Sequence, residues 1–78
     1  MDLIEINKLL KEEYLKESTD EKVSFKFWKK TALMLIRMPK KQYEKAYPTG
    51  YRKKLYEEIR PQILTLDKDQ IEWLIDFD

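Results

Sequence analysis

Apolar residues spaced three and four positions apart recur along this chain, and several of these runs follow a residue that caps helices. The first run contains Leu3, Ile6 and Leu10 and continues to about residue 15. This spacing places the apolar side chains on one stripe of a helix. Asp2 followed by Glu5 forms a capping-box pattern at its start. The sequence predicts a first helix here, with a loop or a new helix cap at residues 18–20.

Two structures are compatible with the next segment. Apolar and polar residues alternate from Val23 to Phe27, which is typical of a short strand, and residues 63–66 are its one candidate partner. Helical spacing, however, continues from Phe25 to Met38, and Ser24 is a good helix cap. We expect the helix, with the strand as the alternative.

Three further helices are predicted in the remaining sequence. Pro39 ends the second helix, because a residue that precedes proline disfavours helical geometry. The later helices are expected at Lys40–Tyr47, Tyr51 to about Arg60, and Asp67 to near Phe77. Pro48, Thr49 and Gly50 form the strongest turn signal. Pro61 is expected to break or restart the fourth helix.

The length of 78 residues suits one domain built around one core. A hydrophobic content of 42% is too high for a disordered chain, and a charged content of 40% is too high for a membrane span. The predicted fold is therefore all-α: a single small domain, residues 1–78, of about five short helices. Residues 40–60 could form a pair resembling a helix-turn-helix, a likeness of spacing only.

The residue types that are missing exclude several classes of function. The chain has no Cys and no His, so it lacks thiolate nucleophiles, Ser-His pairs and the usual zinc, haem and iron-sulfur ligands. Gly50 is the only glycine, which excludes glycine-rich phosphate loops. We expect a protein that is not an enzyme and uses no cofactor or metal.

Charge is distributed in blocks, although the net charge is only +1. Residues 1–21 carry a net charge of −4, residues 22–60 carry +9, and residues 61–78 carry −4. A basic middle segment is typical of a surface that binds phosphate or another anionic partner. The alternative is that the two acidic ends fold back and neutralise the basic segment.

The second helix separates into an apolar arc and a basic strip. Trp28 and Leu35 lie near the centre of the arc and are expected in the core, and the arc also contains Phe27 and Met34. The opposite strip consists of Lys26, Lys29, Lys30, Leu33 and Arg37. Leu33, surrounded by bases, indicates either a protein contact or burial under the first or last helix.

The leading hypothesis is nucleic-acid binding through residues 22–60. The residues expected to contact phosphates are Lys26, Lys29, Lys30, Arg37, Lys40 and Lys41. The start of the fourth helix is expected to approach the nucleobases or the nucleic-acid backbone through Arg52, Lys53 and Lys54. Tyrosines among these basic residues could stack on the nucleobases of a single strand, although packing is the commoner role for buried tyrosines.

The alternative hypothesis is a protein-protein modulator, an inhibitor or accessory subunit, whose basic strip and Leu33 dock on an acidic partner. A homodimer is also open, since the acidic ends of one copy could meet the basic middle of another. The N-terminal sequence contains no signal-peptide pattern, and the lack of cysteine fits a reducing compartment, so we expect a cytoplasmic protein without membrane contacts. Its composition resembles that of small phage or mobile-element proteins.

Overall fold

The computed structural model describes residues 2–17 and 23–77, which form five helices and, within those ranges, no strand. The helices are α1 (Leu3–Glu17), α2 (Phe25–Ile36), α3 (Lys40–Ala46), α4 (Lys53–Ile63) and α5 (Lys68–Asp76). The all-α prediction is confirmed. The loop or new helix cap expected at residues 18–20 lies outside the described residues.

The starts of α1, α2 and α5 follow the capping residues that the sequence predicts. The Glu5 amide donates a hydrogen bond of 2.8 Å to Asp2 Oδ1 at the start of α1. At α5 the capping box is complete: the Gln70 amide donates to Asp67 Oδ1 at 2.8 Å, and the Asp67 amide donates to Gln70 Oε1 at 2.9 Å. These bonds satisfy amides that a helix leaves without partners in its first turn.

Ser24 decides between the two structures compatible with residues 23–27. Its hydroxyl accepts a hydrogen bond of 3.2 Å from the Phe27 amide, and α2 begins at Phe25. The helical prediction is confirmed and the strand alternative is wrong. The apolar and polar residues alternate here because one turn of α2 presents Phe25 to the core and Phe27 to the surface.

The fourth helix differs from the prediction at both ends. It begins at Lys53 because Gly50 and Arg52, with φ angles of 78° and 56°, hold the preceding chain in left-handed turn geometry. Pro61 lies inside α4, which runs on to Ile63, so the expected break is wrong. Proline removes the hydrogen bond to the Glu57 carbonyl, and because both residues are exposed, water can take that place.

Helix α2 occupies the centre of the fold and packs against α1, α4 and α5. The predicted core positions Trp28 and Leu35 are both buried. The other buried apolar residues are Ile6, Leu10, Ala32, Leu33, Ile36, Tyr43, Leu55, Tyr56, Ile59, Ile63, Ile71 and Leu74. Together they form one core, to which every helix contributes.

The buried face of α2 is rotated from the predicted one by roughly 80°, at about 100° per residue. Lys29 and Leu33, which we placed on the basic strip, are fully buried. Phe27 and Met34, which we placed on the apolar arc, are 55% and 58% exposed. The difference arises because three helices surround α2 and cover the side that carries Lys29 and Leu33.

The described part of the chain forms a plate whose Cα atoms extend 32 × 31 × 17 Å. Its smallest dimension allows about two layers of helices, since packed helix axes lie about 8–10 Å apart. Each helix therefore has a surface facing solvent, and the amphipathic sequence must supply it. Within residues 2–17 and 23–77, no helix is long and apolar enough to cross a membrane.

Candidate binding surface

The ten residues predicted to bind a partner fall into three groups in the structure. Lys29, Leu33 and Arg52 are engaged inside the protein. Lys26, Lys30 and Arg37 are exposed on α2. Lys40, Lys41, Lys53 and Lys54 are exposed at the starts of α3 and α4. The predicted binding residues are thus divided between the interior of the protein and two separate surfaces.

Lys29 is a structural residue, which corrects its predicted role in binding phosphate. Its ammonium donates hydrogen bonds to Asn7 Oδ1 at 2.6 Å and to the Phe77 carbonyl at 2.5 Å. The same nitrogen lies 4.4 Å from the centroid of the Phe25 ring. A buried charge is tolerated when hydrogen bonds and cation-π contacts replace water. Lys29 thus connects α1, α2 and the end of α5.

Leu33 is fully buried beneath the helices around α2, so it cannot form a contact with a partner. Burial was one of the two explanations considered for this apolar residue among bases, and it is the correct one. The docking role predicted for Leu33 is therefore wrong. The exposed apolar residues of α2 are instead Phe27 and the sequence neighbour of Leu33, Met34.

Arg52 is bound inside the protein and is not free to approach bases. Its Nη2 lies 2.8 Å from Glu17 Oε1, and its side chain is only 11% exposed. The guanidinium also stacks on Trp28 and Tyr51, with centroid distances of 5.0 and 4.7 Å. The role predicted for Arg52 is corrected: it ties the end of α1 to the segment between α3 and α4.

The Glu17 carboxylate receives hydrogen bonds from Arg52 and from the Tyr51 hydroxyl. Burial is the largest single effect and raises the pKa of Glu17, but the Arg52 hydrogen bond and charge, together with smaller hydrogen-bond contributions such as that of Tyr51, lower the pKa below its ordinary value of 4.5. A carboxyl with a lowered pKa stabilises the fold above its unfolded pKa, and that stabilisation disappears as pH falls through the folded value.

Glu17→Gln should therefore reduce the free energy of unfolding at neutral pH by up to about 1 kcal/mol, since the pair is partly exposed. The difference from the natural protein should shrink as pH falls below 4.5 and through the lowered pKa of folded Glu17, because Glu17 itself then becomes protonated. Urea unfolding across this pH range measures it. A difference that stays constant with pH would contradict the assigned interaction.

Lys26 forms an ion pair with Asp76, with 3.1 Å between Nζ and Oδ1, and both side chains are well exposed. This contact brings one acid of the C-terminal segment onto the basic segment, as expected if the acidic ends fold back, while Asp78 lies outside the described residues. Exposed ion pairs contribute about 0–1 kcal/mol. Lys26 can therefore exchange this partner for another at little cost.

Helices α3 and α4 depart from the helix-turn-helix arrangement. Residues 47–52 connect them, a longer segment than the three or four residues typical of that motif. Glu57 and Glu58 are exposed one turn after Lys53 and Lys54, and Lys54 lies 4.0 Å from Glu13. On a bound nucleic acid, these acidic side chains would face the phosphate backbone together with the lysines. Their repulsion of the phosphates weakens this surface as a phosphate-binding site.

Two buried tyrosines, one in α3 and one in α4, are packing residues. Tyr43 and Tyr56 stack with a centroid distance of 3.9 Å and an interplanar angle of 9°, and both are buried. Their hydroxyls donate to the carbonyls of Tyr51 and Met38 at 2.5 and 2.6 Å. Burial raises the pKa of Tyr43. These rings are therefore not available as stacking platforms for bases.

One surface combines exposed apolar and basic side chains. We define the outer face of α2 as Lys26, Phe27, Lys30, Met34 and Arg37. Phe27 and Met34 lie seven residues apart, about two turns, on one side of the helix. Lys30 and Arg37 flank them, and within the described residues no carboxylate lies within 4.0 Å of either. This face offers an apolar stripe bordered by available positive charge.

The apolar stripe continues into a groove of about 480 Å³ between α2 and the end of α3. Its walls include Met34, Met38, Tyr47 and Tyr51, and the last of these is exposed. This extension was not predicted, because Tyr47 and Tyr51 come from a different part of the chain. Only the helical spacing of Met34 and Met38 pointed to it.

Comparison of the chain with protein-family models, curated proteins and solved structures finds no match. Functional inference therefore depends on the chemistry of the surfaces described above.

Proposed function

We propose that this protein is a non-enzymatic binding protein that docks the outer face of α2 on an acidic surface of another protein. The single observation that carries the proposal is the exposure of Phe27 and Met34 beside Lys30 and Arg37. It is the protein-modulator hypothesis, with Met34 in place of Leu33 as the apolar contact.

Exposed apolar side chains favour a protein partner over nucleic acid. Protein interfaces bury an apolar centre inside a polar rim, and Phe, Met and Arg are enriched in them. Nucleic-acid backbones instead require positive charge and gain little from an aliphatic side chain. Phe27 and Met34 supply such a centre, and Lys30 and Arg37 supply a basic rim suited to carboxylates.

The distribution of bases gives less support to a phosphate-binding surface. Lys29 and Arg52 are committed to partners within the protein, and Lys26 is shared with Asp76. The remaining exposed basic residues lie on separate helices. The exposed acidic residues Glu44 and Glu57 lie among them. Fewer phosphates could therefore be neutralised than the net charge of residues 22–60 implies.

Met34→Asp tests the proposal, because it places an acid at the centre of the apolar stripe. The matched control is Leu15→Asp, which changes a similarly exposed apolar residue on α1. In affinity capture from the native cell with nuclease present, Met34→Asp should lose the protein partner by at least about tenfold, and Leu15→Asp should retain it. Both variants should melt close to the natural protein.

Two results would overturn the proposal. Equal capture by Met34→Asp and the natural protein would show that the outer face of α2 does not bind. Loss of all capture after nuclease treatment would favour the nucleic-acid hypothesis instead. In that case the slope of log affinity against log salt would become shallower by about 0.9 for each phosphate contact removed.

A further inference from the structure

We infer that the partner for the outer face of α2 is helix α5 of a second copy of this chain, and that two copies form a closed, reciprocal dimer. The inference rests on the proposed function, because it assigns an occupant to the surface proposed there. It is carried by the chemistry of α5, which is complementary to that of α2.

The exposed side of α5 combines aromatic rings with acids. Trp73 and Phe77 are 41% and 39% exposed, and their rings stack with a centroid distance of 4.6 Å and an interplanar angle of 17°. We define the outer face of α5 as these two residues and the exposed acids Asp69, Glu72 and Asp76. The outer face of α5 is aromatic and acidic, whereas the outer face of α2 is apolar and basic. The two faces are therefore complementary in both apolar surface and charge.

Charge decides which faces can meet. Two α2 outer faces would oppose Lys30 and Arg37 with the same bases, and two α5 outer faces would oppose acids with acids. Like charges brought together at an interface cost several kcal/mol. Contact of α2 with α5 instead pairs opposite charges while Phe27 and Met34 meet Trp73 and Phe77.

The two faces adjoin within one molecule, which allows the assembly to close. The Lys26–Asp76 ion pair joins α2 to α5, and a groove of about 590 Å³ beside it is lined by residues that include Phe27, Lys30 and Glu72. A two-fold axis across this seam would bring α2 of each copy onto α5 of the other. Such an isologous contact is complete with two copies.

The size and shape of the chain favour such an association. Domains below about 80 residues have small stability margins, and oligomerisation is a common remedy. The plate, with Cα atoms only 17 Å deep, exposes large apolar residues on both α2 and α5. If two copies met through α2 and α5, these apolar residues would be buried on both copies.

Sedimentation equilibrium of the full chain tests the dimer, with the protein itself as the probe. From micromolar to millimolar concentration, the mass should rise from 9.6 kDa and reach a limit at twice that value. Lys30→Glu and Asp69→Lys should each raise the dissociation constant by at least about tenfold, because each opposes like charges in both contacts. An equal mixture of the two variants should recover the dimer, since each contact then joins opposite charges.

The controls separate loss of association from loss of folding. Each variant should keep its helical circular dichroism, and Leu15→Asp should dimerise normally. A natural protein that stays monomeric at millimolar concentration would overturn the dimer, and a mass that grows beyond two copies would overturn its closure. Dimerisation that neither charge reversal weakens would also overturn it. The proposed function fails separately, if Met34→Asp retains every protein partner.

Discussion

Leu33→Ala should destabilise the protein by about 2–5 kcal/mol, whereas the same truncation at the next residue, Met34→Ala, should change the stability by less than about 0.5 kcal/mol. Leu33 is fully buried and Met34 is 58% exposed. Truncating Leu33 leaves a cavity among packed helices, while truncating Met34 removes atoms that already contact water. Urea unfolding of the two variants measures the difference.

This pair tests the orientation of α2 directly. Both substitutions create alanine in the same helix, so their effects on helix propensity are similar. If Met34→Ala were the more destabilising variant, the buried face of α2 would be the apolar arc predicted from the sequence. The outer face of α2 would then not exist as described.

Lys29→Met should be the second large destabilisation, at about 1–3 kcal/mol for the buried Asn7 acceptor left without a donor, with a smaller loss at the part-buried Phe77 carbonyl. Methionine keeps a long, helix-compatible side chain but cannot donate to Asn7 Oδ1 or to the Phe77 carbonyl. Thermal and urea unfolding measure the loss. Asn7→Leu in the same background should recover part of it, because it removes one of the abandoned acceptors.

Lys29→Arg tests how closely the buried site fits lysine, since it keeps the charge but requires more space at a fully buried position. We expect it to be destabilised as well, through crowding. A Lys29→Met variant as stable as the natural protein would contradict the structural role. It would mean that the free energy needed to desolvate the Lys29 ammonium is as large as the free energy gained from its contacts.

Local signals in the sequence predicted the helices well because their causes are local. Asp67 and Gln70 are three residues apart, so the capping box can be recognised without knowledge of the fold. Pro61 was misjudged because a proline in an exposed turn of α4 loses only a bond that water can replace. The helix order and the core positions Trp28 and Leu35 followed from spacing alone.

The binding surface was predicted only in part, because exposure depends on distant residues. Lys30 and Arg37 were assigned to an exposed strip, and both are exposed. The pairing of Arg52 with Glu17 joins residues 35 positions apart, and no local pattern indicates it. Lys29 looked like a surface residue because lysine is rarely buried, and its burial depends on acceptors from α1 and the end of α5.

The attachment of α3 has a consequence for the lifetime of the protein. Tyr43 is the only buried residue of this seven-residue helix, so α3 is held to the rest of the fold mainly by one ring stacked on Tyr56. Segments with few buried contacts open far more often than the whole domain unfolds. Proteolytic turnover should therefore begin within α3, at a rate set by this local opening and largely independent of the stability of the core.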